Sequence, residues 1–388
     1  MDNQNVLIVT ALNGFIRAFL LDDIRILQKM GYTVHCAASS EGDDYSEQEA
    51  IDYYRKMGVV FHDIPFSSSK PLDRKNLMAF KQFKTLINNI DFIAIHIHTP
   101  IPGVLCRMAI AMHRKKYIVL YTTHGFYFHS GSSRKNKIIF GSIESFMSRF
   151  TDAIITINHE DFSNAQKMHC RKVYHINGVG VDTKKFHEIR INREEYRNKI
   201  GLNSTDVAIL SVGELSKRKN HQIIIKALHL LNDPKFVYVI CGKIVPGEGT
   251  YNDLKQMASE LKVRTLFLGY RTDIPQIAHC CDIGALPSTR EGLGLAGIEM
   301  LAAGLPVVAS NVHGIKDYID DGLTGFTANP YNDVKFAESI EKLSDIHLRE
   351  KMRENCLKKA EEFNMKNSHL QRMKIYSEVL CNGECNDK

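Results

Sequence analysis

The sequence predicts an α/β protein built from two doubly wound, Rossmann-like parallel sheets in tandem. Short β-branched runs alternate with longer amphipathic ones along the whole chain, the mark of βα units with helices on both faces of a sheet. The alternation stops and restarts once, near residues 187 to 196. At 388 residues the chain also exceeds what one ordinary hydrophobic core organises, which points to two domains.

In chain order, the strands expected in the first half are VLIVTAL, TVHCAAS, VVFHDIPF, FIAIHIHTP, KYIVLYTTHG, AIITIN and VYHIN. Amphipathic helices lie between them, including FIRAFLLDDIRILQKM, closed by Gly31, and RKNLMAFKQFKTLINN. The second half restarts with VAILSVG, a helix through HQIIIKALHLLND, then FVYVICG, NDLKQMASELK, TLFLGY, DIGALPS, a glycine-rich helix and LPVVASN. From Met365 to Leu380 an amphipathic segment places Leu370, Met373, Ile375, Tyr376 and Val379 on one apolar stripe, which needs a surface to dock on. The expected division is residues 1–187, 188–364 and a terminal helix with its tail, 365–388.

Composition narrows the class. Apolar residues make up 44% and charged residues 24%, as in ordinary globular proteins. Nine cysteines are scattered without a Cys-x-x-Cys pair; Cys280 and Cys281 are adjacent, and Cys381 and Cys385 fall in the tail. That usage reads as reduced thiols in a cytosolic protein, not a disulfide framework or a zinc site. The opening MDNQNVLIVTALNGF has neither the basic region nor the long apolar region of an export signal. Nor does any run reach the roughly 18 apolar residues of a membrane span. A cytoplasmic location is therefore expected.

Charge is uneven. Lys and Arg outnumber Asp and Glu by 23 to 17 up to His187, whereas the remainder balances at 27 to 27, so the formal +6 belongs to the first half. No acid stands between Phe92 and Ile143, although Arg107, Arg114, Lys115, Lys116, Arg134, Lys135 and Lys137 do. Such a surface attracts phosphate, on a substrate or on an anionic membrane face. No nucleic-acid motif accompanies it, and no nucleic-acid partner is expected.

Ligands of open parallel sheets bind outside the carboxyl ends of the strands, so the segments after the strands carry the chemistry. The first such segment, ALNGF, offers only Gly14, and the absence of Gly-x-Gly-x-x-Gly argues against a dinucleotide-binding dehydrogenase. His124 follows YIVLYTT at a strand end and is placed to face a ligand. His96 and His98 alternate onto one face, where packing or lining a cleft suits them better than binding metal. After VAILSV come Gly213, Glu214 and the cations Lys217, Arg218 and Lys219 at an expected helix start, a placement that a bound phosphate would relieve. After DIGALPS come Glu291 and Glu299, with seven residues between them, three of which are glycines. Two acids suited to hydroxyl groups, with helix-start amides between them for phosphate, form a layout for a sugar–diphosphate–ribose ligand.

Glu291 and Glu299, followed by AAGLPVVAS, Gly314 and DYIDDGLTGF, resemble the donor-site signature of glycosyltransferase family 4. INGVGVDTKKF and FLGYRTDIPQIAHCCDIGALPS are similar to two further segments of that family. The resemblance spans nearly the whole chain and is strongest from about residue 205 to 327. It implies the GT-B fold, with the two domains facing across a cleft and the terminal helix crossing back to the first. It also implies a retaining transfer of a hexose or N-acetylhexosamine from a nucleotide diphosphate sugar, UDP-linked, to a hydroxyl of a glycan or lipid-diphosphate-linked acceptor. Carried onto this chain, Glu299 would hold the ribose, while Glu291 with the backbone of Gly292, Leu293 and Gly294 would grip the sugar. Lys219 would meet the diphosphate, and His124 would lie beside the reacting carbon. The expected donor contacts also include Gly14, Gly213, Arg218, Arg271 and Leu295.

The chain departs from the family at Glu214, where many relatives have arginine, in the longer turn GKIVPGEGTYND, and in having Gly14 alone. No Asp-x-Asp occurs, so transfer without a metal or other cofactor is expected. The alternatives are a non-catalytic nucleotide-sugar-binding partner of another transferase, or a sugar-nucleotide epimerase.

Overall fold

The computed structural model describes residues 4–41, 46–245 and 247–381, Cys381 by its backbone alone. Cys385 and the end of the expected tail lie outside the described residues, as does Pro246 in the long turn. The chain divides into two compact units, one running to Val179 and resumed from Ser368, the other spanning Gly180–Asn367.

The first unit holds strands β1 (Asn5–Leu12), β2 (Thr33–Ser39), β3 (Val60–Asp63), β4 (Ala94–His98), β5 (Ile118–Thr123), β6 (Ala153–Thr156) and β7 (Lys172–His175). They form one parallel sheet in the order β3-β2-β1-β4-β5-β6-β7. Central strands buried on both faces must be apolar nearly throughout. Val6, Leu7, Ile8 and Val9 of β1 accordingly have almost no exposed surface. The helices used below are α1 (Leu21–Lys29), α2 (Pro100–Ala111), α3 (Arg134–Met147), α4 (Leu295–Ala302) and α5 (Met365–Tyr376).

The second unit repeats the plan with β8 (Val207–Val212), β9 (Phe236–Cys241), β10 (Thr265–Gly269), β11 (Ile283–Leu286), β12 (Val307–Ser310) and β13 (Gly325–Ala328), ordered β10-β9-β8-β11-β12-β13. Strand β13 was not expected: its four residues GFTA carry a glycine and are half buried at a sheet edge, too little for a periodic signal.

The unit boundary differs from the expected break after His187. A short helix, Thr183–His187, is capped by Asp182, buries Phe186 and packs against α4, so it belongs to the second unit. Asn364 Nδ2 also donates to Thr183 Oγ1 at 2.6 Å, which ties both ends of this unit together and places residues 365–367 within it. The expected linker is likewise ordered. Arg197 is 2% exposed and donates to the carbonyls of Cys280 and Asp206 and to Asp282.

From Ser368 the chain returns to the first unit, but its buried face is not the expected stripe. Leu370 and Met373 are exposed, whereas Ser368, Arg372, Ile375, Tyr376 and Val379 are buried. Arg372 takes the place of an apolar residue because two acids of α1 meet it there. Its guanidinium reaches Asp23 Oδ2 at 2.6 Å and Asp22 Oδ2 at 2.7 Å, and Tyr376 Oη donates to Asp23 Oδ1 at 2.8 Å. Breaking one partner of a buried ion pair leaves an uncompensated charge and costs about 3–5 kcal/mol. Arg372→Ala should lose stability on that scale in urea titrations, and Arg372→Met with Asp23→Asn should recover part of the loss. Equal losses in the single and double variants would show that the charge pair is not what fixes this helix.

Candidate active site

In the second unit the strand order reverses at β8, which lies between β9 and β11. The carboxyl ends of β8 and β11 are thus neighbours at the topological switch point, where ligands of such sheets bind. Glu291, Arg218 and Lys219 meet there. Glu291 Oε1 accepts from Lys219 Nζ at 2.7 Å, Arg218 Nη1 at 2.8 Å and Ser288 Oγ at 2.9 Å. Burial would raise the Glu291 pKa, but Lys219 and then Arg218 outweigh it and hold the carboxyl below its ordinary value. Arg218 Nη2 also donates to Glu214 at 3.1 Å, so two carboxylates face two cations.

This arrangement corrects the expected helix start. Lys217, Arg218 and Lys219 form a separate 3-10 turn, and the helix proper begins at Gln222, after Asn220 in the left-handed region. Arg218 and Lys219 find their countercharge in Glu291 and Glu214, so no anion has to be invoked to explain their placement. Gly213 leaves room for the lysine: a Cβ there would stand 2.8 Å from Lys219 Cε. The two loops are joined by the Thr289 amide, which donates to Arg218 O at 2.9 Å.

The glycines between the two acids have packing reasons of their own. Gly294 precedes α4 with φ +79° and accepts from Tyr318 Oη at 2.9 Å. A Cβ on Gly297 would sit 2.4 Å from that same oxygen, and one on Gly314 would sit 2.0 Å from Gly292 O. Tyr318 and Gly314 therefore buttress the loop, a role the sequence reading did not give Tyr318; small residues facing one aromatic were the available signal. Leu293 is 3% exposed and Leu295 opens α4. The buried side chain of Leu293 leaves only its backbone to meet a ligand, beside the helix-start amides.

Glu299 lies in the second turn of α4, half buried. Burial raises its pKa, offset in part by Lys185, and among the described residues its carboxylate takes no hydrogen bond. Arg271 stands apart from these groups, after edge strand β10. Its guanidinium is committed to Asp273, whose carboxyl it pulls down to about 2. Among the described residues no contact links Arg271 with Glu291 or Lys219.

Gly14 and His124 belong to the first unit. Gly14 follows β1, and its neighbour Phe15 packs edge-on against the His124 ring at 4.8 Å between centroids. His124 follows β5 and pairs through Nε2 with His98 Nδ1 at 3.2 Å. A chain of contacts continues beneath this pair. Tyr376 donates to Asp23, so its oxygen accepts from His96 Nδ1 at 2.8 Å, and His96 Nε2 accepts from Thr122 Oγ1 at 2.7 Å. Both nitrogens of His96 are thus occupied by packing partners, the role expected of it. Burial, followed by His96, lowers the His124 pKa to about 4, so the ring is neutral at neutral pH and offers Nδ1 for a hydrogen bond.

Two consecutive Rossmann-like units carry the candidate groups at their carboxyl edges, and comparison with known proteins specifies the class. Residues 20–185 match the family described as Glycosyltransferase Family 4, and residues 192–363 match Glycosyl transferases group 1. EpsD of Bacillus subtilis (strain 168), assigned as a glycosyltransferase, is 31% identical over 88% of this chain and 87% of its own. The UDP-Gal:alpha-D-GlcNAc-diphosphoundecaprenol alpha-1,3-galactosyltransferase of Escherichia coli is 30% identical over 74% of this chain and 76% of its own. Among solved structures, HepE of Anabaena in complex with UDP and glucose superposes with a TM-score of 0.77 at 19% identity, covering 97% of this chain and 100% of that one. The fold is GT-B, and the chain belongs to glycosyltransferase family 4. Among the described residues no helix is long and apolar enough to cross a membrane.

The buried histidines give the protein a defined acid sensitivity. His35, His96, His124 and His221 are each held at about 4 against an ordinary 6.5, with burial the first cause every time. Below pH 6.5 the unfolded chain takes up protons that the folded chain refuses until about pH 4. Stability is therefore complete above the unfolded value and is lost as pH falls through that window. Denaturant titrations should show a loss of at least about 2 kcal/mol between pH 7 and pH 5. A flat profile there would mean that these rings are hydrated in solution.

Proposed function

We propose that this glycosyltransferase moves a hexose or N-acetylhexosamine from a UDP-linked sugar to a hydroxyl of a glycan or lipid-diphosphate-linked acceptor in surface polysaccharide or glycoconjugate synthesis. The observation that carries the reading is Glu299: a half-buried carboxylate that takes no hydrogen bond among the described residues, on the helix that follows the loop where Lys219, Arg218 and Glu291 converge. Such a group is suited to the two hydroxyls of a ribose, with the diphosphate lying toward Lys219 and the amides of α4. The UDP-Gal specificity named for the Escherichia coli relative and the UDP complexes of the Anabaena structure support the choice of base.

In the reaction we envisage, the bond between the sugar's anomeric carbon and the diphosphate breaks, and the acceptor oxygen bonds that carbon from the same face. The acceptor proton passes to the departing diphosphate oxygen. Lys219 and Arg218 stabilise the charge growing on that group, which is the work a divalent metal would otherwise perform. His124 enters on the family resemblance and its place after β5. As a neutral ring it can take part as a hydrogen-bonding group but not as a cation.

Melting curves with UDP, GDP and ADP, with and without EDTA, test the donor site. A nucleotide at a hundred times its dissociation constant adds about 2.7 kcal/mol, a shift of several degrees. UDP alone should produce it, unaffected by EDTA. Glu299→Ala should weaken UDP by roughly 10- to 100-fold, the loss of hydrogen bonds to a charged group. Its ligand-free melting point should hold or rise, because burial works against this carboxylate. A shift abolished by EDTA would overturn metal independence, and no shift with any nucleotide would overturn the donor site.

A further inference from the structure

One cavity of the first unit has no part in the transfer chemistry above. It is a half-open cleft of about 510 Å³ between α2 and α3, and its walls include Ile101, Val104, Met108, Phe140, Ile143 and Phe146. That volume is typical of a small-ligand site and is large for a packing defect. The polar groups at its base satisfy one another: Glu144 pairs with Arg107 at 2.7 Å and accepts from Tyr121 Oη at 3.2 Å. What the cavity offers a guest is therefore hydrocarbon surface.

Two features give the guest a direction. Thr123 and Gly125, the neighbours of His124 in the chain, both line the cavity, so it extends from the carboxyl edge of β5. The helix α3 leads away from that same edge, and its first turn carries Arg134, Lys135 and Lys137 without an acid. Among the described residues Arg134 and Lys135 form no ion pair, and Lys137 donates only to Ser130 O. Further along, Phe140 and Ile143 turn into the cavity while Ile138 stays 70% exposed and Phe146 52%. An apolar slot beside a cationic helix start fits an amphiphile with an anionic head at the carboxyl edge and a tail between the helices.

We infer that this cavity holds the first part of the alkyl or isoprenoid chain of a lipid-phosphate acceptor, with Arg134 and Lys135 meeting its phosphates. The inference rests on the lipid-linked arm of the proposed function and names the residues that would select it. Membrane association alone would need only an apolar surface; a cleft of this volume between two helices is what favours a single extracted chain.

The sequence contains no tryptophan, so Phe146→Trp places one fluorophore at the rim of the cavity. In the full chain carrying it, farnesyl diphosphate should give a saturable blue shift at monomeric concentrations, and inorganic diphosphate should give none. Adding Val104→Phe, which fills the slot, should weaken farnesyl diphosphate about tenfold, the value of roughly two buried methylenes. If that variant melts earlier, Met108→Phe on the half-exposed wall repeats the test. Arg134→Glu with Lys135→Glu should weaken farnesyl diphosphate but leave farnesol unchanged. An equal response to inorganic diphosphate, a response only to phosphatidylglycerol vesicles, or indifference to both filling variants would each overturn the inference. The UDP melting shift, read on the same samples, reports separately on the donor site.

Discussion

A parallel strand can be entered only after the chain has crossed back over the sheet, and that constraint places the chemistry of this protein. Every βα unit delivers its loop to the same edge, and where the crossovers change direction two loops are left side by side without a helix between them. In the second unit those are the loops after β8 and β11. Lys219 and Glu291 are 72 residues apart in the chain and meet because of that reversal alone. The first unit reverses between β1 and β4, with β5 next to β4, so Gly14 and His124 come to the same edge for the same reason.

Within that frame the central interaction is electrostatic and nearly neutral. Arg218 and Lys219 are set against Glu214 and Glu291, with Ser288 completing the acceptor demand of Glu291. The carboxylate holds two flexible cations in one place before any ligand arrives, which lowers the reorganisation that binding and charge development would require. Glu214, where many relatives have arginine, is the second countercharge of Arg218. Glycine serves the same end by absence: Gly213 makes space for the Lys219 stem, and Gly297 and Gly314 let Tyr318 and the Glu291 loop close on each other.

Much of this was legible in the sequence because periodicity and local spacing carry it. Twelve of the strands follow from β-branched runs between helical ones, and the acids, glycines and cations of the donor side could be named from their positions after strands. What was not legible depended on partners far away in the chain. Arg372 interrupts an apolar stripe and is nevertheless buried, because Asp22 and Asp23 lie some 350 residues earlier. Strand β13 is too short to show a period. The helix Thr183–His187 reads as the end of the first domain, yet it packs against α4 in the second unit. The expected role of Arg271 ignored the nearest acid, Asp273, which claims it.

The contrast between the histidines and the cation cluster bears on how transfer could be driven. The His124 ring stacks on His98, which in turn packs on His96, and burial keeps all three neutral. In such surroundings a proton delivered to His124 would be opposed by burial and by the neighbouring His96, and Asp23, which faces His96, is already engaged by Arg372 and Tyr376. Positive charge is available instead at Arg218 and Lys219, where carboxylates already balance it. With Glu291 holding Arg218 and Lys219 in place, a diphosphate arriving beside that cluster would meet two cations already fixed, and the charge growing on it would need little further movement of the protein.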